Sequence, residues 1–182
     1  FLLALLKEPR QTLFFSATLP KEIAELAKKF LKDPITVRIE SRATAENVEQ
    51  NVINVRKKDQ KVDILHDLLL KEDFQKVLIF CRTKRGAERL SKTLLESGFK
   101  SDSIHGDKSQ SQRERALRRF EENALQVLVA TDVAARGLDI DDVTHVINFD
   151  VPETYEDYIH RIGRTGRGGK TGNALTFIEE EK

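Results

Sequence analysis

The stretch KVLIFCRTKRGAERLSKTLLESGFKSDSIHGDKSQSQRERALRRFEENALQVLVATD, residues 76–132, decides the fold. It opens on the apolar run Val77-Leu78-Ile79-Phe80-Cys81. A helical pattern follows, with Ala87, Leu90 and Leu94 on one face and Gly98 to end it. Residues 101–105 read as a short strand. Residues 110–122 read as a second helix with Ala116, Leu117 and Phe120 turned inward. Residues 126–131 are again strand-like. Strands alternating with helices of this length require parallel crossovers, and so an open, doubly wound α/β sheet with helices on both faces. Ligands bind such sheets beyond the carboxyl ends of the strands. The residues after Phe80, Ile104, Thr131 and Phe149 are therefore the first places to look.

The pattern extends in both directions. Upstream, residues 51–55 read as a strand, and Asp59 caps a helix carrying Val62, Leu65 and Leu69. Downstream, residues 143–149 are a strand. Thr154 and Asp157 resemble a capping box for a helix that ends near Arg161, and residues 173–178 form the last strand. Nearer the start, residues 11–15 read as a strand and Pro20 fits the first turn of a helix. Ile23, Leu26, Ala27, Phe30 and Leu31 repeat at helical spacing, Asp33-Pro34 stops that helix, and residues 35–39 read as a strand. Residues 41–50 hold no large apolar side chain except Val48 and make the best linker. This gives three parts: residues 1–40, the linker 41–50, and a self-contained unit over residues 51–182. The first residues are apolar but too short to span a bilayer, and they lack the features of a signal peptide. With no initiator methionine, the chain reads as a fragment that begins inside a helix.

Bulk composition narrows the function. The formal net charge is +1 although 34% of residues are charged, so any nucleic-acid site must be a local patch. The lone Cys81 excludes an intrachain disulfide and a cysteine-based zinc cluster. It reads as a small core residue at a strand end, and fits a reducing compartment.

The strongest chemical segment is His160-Arg161-Ile162-Gly163-Arg164-Thr165-Gly166-Arg167-Gly168-Gly169-Lys170. Glycine lets the backbone approach an anion, and the guanidinium fork suits phosphate oxygens. Arg161, Arg164 and Arg167 stand at three-residue steps, on one helical side as the helix ends. The bland alternative is a solvated basic loop. Gly169-Lys170-Thr171 mimics the tail of a P-loop, but Arg164 stands where that pattern needs glycine, and a strand-like run follows instead of a helix. A second segment runs from Thr131-Asp132 to Gly137-Leu138-Asp139, where the Asp139 carboxylate could accept ribose hydroxyls. Asp132 could merely cap the next turn, and Asp139 could be an ordinary surface acid. A third, His105-Gly106-Asp107 through Gln110 and Arg113, leads into a helix N-terminus, a ready anion site. His105 taken alone reads as a packed, satisfied histidine, and no other His or Cys is spaced to join it around a metal. Phe80-Cys81-Arg82-Thr83 is another basic strand-to-helix junction. Ser16-Ala17-Thr18 is uninformative alone.

Taken together, these motifs resemble the set shared by superfamily 2 helicases of the DEAD-box branch, over essentially the whole chain. Ser16-Ala17-Thr18 resembles the family's third motif and Leu78 to Thr83 the fourth. His105-Gly106-Asp107 with Gln110 and Arg113 is similar to the Gly-Asp-x-x-Gln-x-x-Arg element. Thr131-Asp132 to Asp139 resembles the fifth motif and His160 to Arg167 the sixth. The wording is similar to bacterial RhlE-type members. The resemblance implies a RecA-like, P-loop-NTPase-type sheet for residues 51–182, with residues 1–40 the end of an N-terminal RecA-like domain. It implies that Arg164, with Arg161 beside it, is catalytic as an arginine finger on ATP, and that Gly137 and Asp139 hold the nucleotide. Thr83, Gly106, Gln110, Arg113 and Thr131 are implied to bind the RNA backbone. Ser16, Thr18, Arg136 and His160 are implied to couple the two domains. No Asp-Glu-Ala-Asp sequence, P-loop or adenine-reading glutamine motif is present. Mg2+ is then expected in the N-terminal domain, and the fragment alone is expected to be inactive. The expected partners are RNA and that domain, with no membrane, in the cytoplasm. Two other readings stay open: an ATP-independent RNA-binding or partner-docking module, and half of a DNA helicase.

Overall fold

The structure, a computed structural model, describes residues 7, 9–16, 19, 21–37, 47–56, 60–136, 140 and 143–180. The chain divides into two compact units, residues 1–40 and 41–182. In the first, α1 (Lys21–Phe30) buries Ala27. Asp33 takes a left-handed φ of 45° shortly after its end. Strands were expected over residues 11–15 and 35–39, but residues 11–15 and 35–37 carry no strand hydrogen bonding, and residues 38–39 lie outside the described residues. A strand exists only where a neighbour completes its ladder, and none lies beside them among the described residues. Ile35 and Val37 are accordingly exposed.

The second unit is a six-stranded, all-parallel sheet in the order β1-β6-β5-β2-β4-β3, the architecture expected from its alternating pattern. The elements are β1 (Val48–Val55), α2 (Gln60–Leu69), β2 (Val77–Phe80), α3 (Lys84–Glu96), β3 (Ser101–Ile104), α4 (Gln110–Glu121), β4 (Val127–Ala130), α5 (Asp132–Ala135), β5 (His145–Asn148), α6 (Tyr155–Ile162) and β6 (Gly172–Glu179). Alternation along the strands sorts the helices. Val77, Ile79, Val127 and Val129 pack against Leu65 and Leu69 of α2 and Ala87, Leu90 and Leu94 of α3. Leu78, Phe80, Leu128 and Ala130 face the other way, onto Ala116 and Phe120 of α4 and Ala134 and Ala135 of α5. The central strands are buried on both faces and so read as continuous apolar runs. α3 ends where Gly98 turns left-handed at φ 93°, and the Phe99 N–H returns to the Leu94 carbonyl at 3.0 Å. Cys81 packs in the core, where burial pushes its thiol up to about 12. β6 follows residues 169–171, as the rejection of a P-loop required.

One element is new and one expectation is corrected. The four-residue helix α5 has no counterpart in the sequence reading, since so short a helix shows no periodicity. The linker expected over residues 41–50 is shorter, because β1 already begins at Val48. Val48 is buried with Ile162 and Ala174, and the Tyr158 hydroxyl donates to Gln50 Oε1 at 2.7 Å. Residues 41–46 and Asp59, the expected cap of α2, lie outside the described residues. A chain starting at Asn51 should therefore unfold in urea about 2 kcal/mol more easily than one starting at Asn47, from loss of the buried valine. Equal midpoints would mean that Val48 adds nothing to the core.

Candidate functional site

Because all the strands are parallel, their carboxyl ends share one edge. Backbone bonds continue past it: the Cys81 N–H donates to Ala130 O (2.9 Å), Thr131 N–H to Ile104 O (3.2 Å) and Phe149 N–H to Phe80 O (3.1 Å). On this edge the starts of α3 and α4 are capped by side chains. Thr83 accepts from the Gly86 N–H at 3.0 Å. Ser109 accepts from the Gln112 N–H, and Gln112 Oε1 accepts the Ser109 N–H at 2.8 Å, a reciprocal capping box. Gly106 is exposed, with open space where a Cβ would stand. Gln110, the first residue of α4, donates to Glu114 at 2.8 Å. Arg113 is half-buried. Its Nη2 donates to Ala134 O at 3.1 Å, and its buried Nε has no partner. Thr131 is buried before α5 and makes no capping bond. The β2, β4 and β3 ends are neighbours, so Thr83, Gly106, Gln110, Arg113 and Thr131 share one stretch of edge.

The arginines of the basic segment are arranged otherwise than expected. α6 ends at Ile162 with Gly163 as its cap, so only Arg161 is helical. Arg164 and Arg167, both half-buried, lie beyond it in a turn closed by Arg164 N–H to Arg161 O (3.2 Å) and Thr165 N–H to Ile162 O (3.1 Å). The three arginines therefore do not share a helical side. Arg161 is 2% exposed. Its Nε and Nη2 each meet an oxygen of Asp132 at 2.7 Å. Its Nη1 donates to Asn148 Oδ1 (3.1 Å) and Asp150 O (2.7 Å), and the group lies 5.1 Å over the Phe80 ring. Arg161 is a positioning residue here, and its assignment as catalytic is corrected, since it is buried and four of its five N–H groups are taken up inside the unit. Asp132 likewise does not cap the next turn: Thr131 holds the cap position, and the carboxylate serves Arg161.

The basic turn also lies away from the capped helix starts. A helix that follows a strand carries the chain back to the amino end for the next parallel strand. Thr165 donates to Val143 O, just before β5, and Gly166 at φ 69° sits against Asn47 and Val48 at the start of β1. A Cβ on Gly172 would come within 2.2 Å of Thr165 Oγ1, so the turn is packed tightly onto the start of β6. Gly168 and Gly169 follow in left-handed conformations. Arg136, expected to couple domains, pairs with Asp157 at 2.8 Å within the same unit. The Thr154 hydroxyl and that guanidinium hold the Asp157 carboxyl below its usual range. His160 and Ser16 are exposed. Gly137, Asp139 and Thr18 lie outside the described residues. The donors of the turn, Arg164, Arg167, Lys170 and glycine N–H groups, fit an anionic phosphate by their chemistry. Among the described residues no group of three or more His, Cys, Asp or Glu could hold a metal ion, and no helix is long and apolar enough to cross a membrane.

A family model for the helicase conserved C-terminal domain matches residues 60–169. The chain belongs to that helicase family. It is 49% identical over 170 residues to the DEAD-box ATP-dependent RNA helicase CshA of Geobacillus kaustophilus, covering 93% of this chain and 36% of that protein. It is also 49% identical over 169 residues to the Bacillus subtilis CshA, covering 92% and 34%. The chain thus spans about a third of the length of the curated relatives it matches. Both carry the CshA name, where the wording suggested the RhlE type. Among solved structures, Saccharomyces cerevisiae Dbp5 L327V bound to RNA and ADP BeF3 superposes with a TM-score of 0.81 at 32% identity, over 97% of this chain and 47% of that one. Escherichia coli SrmB bound to the regulator of ribonuclease activity A gives 0.70 at 38%, over 72% and 78%. The sheet of this helicase domain is the RecA-like fold.

Two polar clusters of the helicase domain have no signal in the sequence. Lys61, 4% exposed, donates to Phe149 O at 3.0 Å and pairs with Glu179 at 2.8 Å. At the end of β3, Glu88 accepts from the Ser103 hydroxyl (2.6 Å) and from buried His105 (3.0 Å). The Asp107 N–H reaches His105 Nδ1 at 3.3 Å, which leaves the Nε2 proton for Glu88. The satisfied histidine of the sequence reading is borne out. The Ser103 hydroxyl, then His105, bring the Glu88 pKa from 4.5 to about 2. A lowered pKa stabilises the fold above the unfolded value, and this is lost as pH falls. Glu88→Gln should therefore flatten the decline of stability between pH 4.5 and about 2, read as urea midpoint against pH. Parallel curves for the two proteins would exclude this role. Arg161→Met should cost about 3 kcal/mol by leaving the Asp132 carboxylate without its partner. In a cycle with Asp132→Asn the coupling should exceed about 1 kcal/mol, whereas additive losses would show that the two residues act separately.

Proposed function

We propose that this chain is the C-terminal RecA-like part of a DEAD-box RNA helicase that separates RNA duplexes at the expense of ATP. The observation that carries the reading is the Arg161 anchor. It joins the basic turn after α6 to the segments that follow β4 and β5, so one rigid unit presents two anion-suited surfaces. A clamp that held RNA alone would need only one of them.

Each surface has a distinct task. On the carboxyl edge, Thr83, Gly106, Gln110, Arg113 and Thr131 would hold the RNA backbone. Contacts to phosphate and sugar carry little sequence information, so sequence preference should be weak and binding sensitive to salt. On the basic turn, Arg164 would meet the terminal phosphate as an arginine finger, and Arg161 would set its position. Gly137 and Asp139 would hold the nucleotide, and ATP would supply the phosphoanhydride. Mg2+ would be held by an N-terminal domain. Ser16 and Thr18, from the end of that domain, and Arg136 and His160, from this one, would couple the two, with Arg136 first released from Asp157. The Dbp5 relative bound to RNA and ADP BeF3 supports a site of both kinds. The proposed compartment is the cytoplasm.

In the full-length protein, Arg164→Ala should lower RNA-stimulated ATPase by about 10³-fold and leave RNA affinity within a few-fold. Unchanged ATPase with lost RNA affinity would favour the ATP-independent module. Equal stimulation by DNA would favour a DNA helicase.

A further inference from the structure

β3 borders the sheet, and a groove of about 450 Å³ runs along it. Its walls come from three elements. α3 and the turn after it give Lys92, Leu95 and Lys100, and the β3–α4 side gives Lys108 and Arg119. The floor includes Ser101 and Ser103, both buried. Four cations thus meet two carboxylates, Glu88 and Asp102. Both acids are already engaged: Asp102 with Lys108 (2.8 Å) and Arg119 (3.6 Å), Glu88 with Ser103, His105 and Lys108 (3.6 Å). The ammonium groups of Lys92 and Lys100 have no such partner among the described residues, so the groove is left with uncompensated positive charge on one wall.

The groove also has a direction. It starts at Lys108, two residues after Gly106 on the carboxyl edge, and ends at Gly98 and Lys100 where β3 begins. A polyanion lying on Gly106 and Gln110 therefore meets a cation-lined channel on leaving the edge.

We propose that this groove carries the flank of a bound single-stranded RNA, through its phosphates. The proposal rests on the reading of the carboxyl edge as an RNA site, and adds a second contact to it. An acidic peptide is the alternative polyanion. Recognition of a peptide uses apolar pockets between main-chain bonds, and the groove offers little of that kind: Phe99 is buried, and Leu95 is the one large apolar side chain exposed on its wall.

The test is fluorescence anisotropy of this chain with labelled oligouridylates of about 6 and about 16 nucleotides, within the usual range of single-strand sites. Lys92→Glu with Lys100→Glu should weaken the longer one on the order of ten-fold at low salt, and reduce its salt slope by about 1.4, or ~0.7 per cation. The shorter one should bind unchanged, and Lys92→Gln with Lys100→Gln should give an intermediate loss. Because neither ammonium is paired, the thermal midpoint should stay the same, and the glutamine pair serves if the glutamates misfold. Equal effects on both lengths, or none on the longer, would overturn the groove. So would polyglutamate binding the wild type more tightly than RNA and losing that affinity in the variants. If the shorter oligonucleotide binds but Gln110→Ala and Arg113→Ala leave its affinity intact, the edge reading fails instead. Binding of neither length overturns both.

Discussion

A guanidinium removed from water needs every one of its protons accepted and its charge balanced, or it costs several kcal/mol. Arg161 directs four of its five N–H groups to a carboxylate, an amide oxygen and a carbonyl, drawn from Asp132, Asn148 and Asp150. Each acceptor lies on a different stretch of chain: the start of α5, the end of β5, and the turn beyond it. The fork is planar, so its two bonds to Asp132 fix direction as well as distance. Asp150 is tied further by the Arg82 N–H at 2.9 Å. The end of α6, and with it the start of the turn that carries Arg164, is anchored by this one side chain.

The basic turn is fixed from the other side by packing. Gly172 has no room for a Cβ beside Thr165, and Gly166 needs its left-handed φ to pass the start of β1. The turn is therefore held between a polar anchor above and close backbone contacts below. A phosphate site built there has little freedom to adjust, which is what preorganised charge stabilisation requires.

Much of this was legible in the sequence because it depends on periods. Apolar runs at 77–80 and 127–130, separated by helical patterns, leave no other sheet than a parallel one. The cap at Thr154 was legible too, because capping is local chemistry. What could not be read depends on contacts between distant residues. Three arginines at equal steps look alike in a string, but Gly163 ends the helix between the first and the second, and only tertiary structure shows Arg161 turning inward. Lys61 and Glu88 are surface residues by type, and their roles arise from strand ends that fold brings to them. Residues 11–15 and 35–37 failed for the reverse reason. Their propensity is right for strands, but propensity supplies no partner.

The short α5 explains how the two surfaces are joined. Arg161 of α6 holds its first residue, Asp132. Arg113 of α4 holds its Ala134 carbonyl, and Arg136 at its end reaches Asp157 near the start of α6. Four residues are thus gripped from both the helix that opens the capped edge and the helix that leads into the basic turn. A displacement of the α4 start would have to break Arg113 from Ala134 or carry α5 with it. Moving α5 would in turn strain the Asp132–Arg161 pair. Polar bonds of this kind are directional and short-ranged, so they resist shear between helices better than apolar packing alone. The distance between the two phosphate-suited surfaces is therefore bridged by three arginines, and the one that looked catalytic contributes most by staying buried.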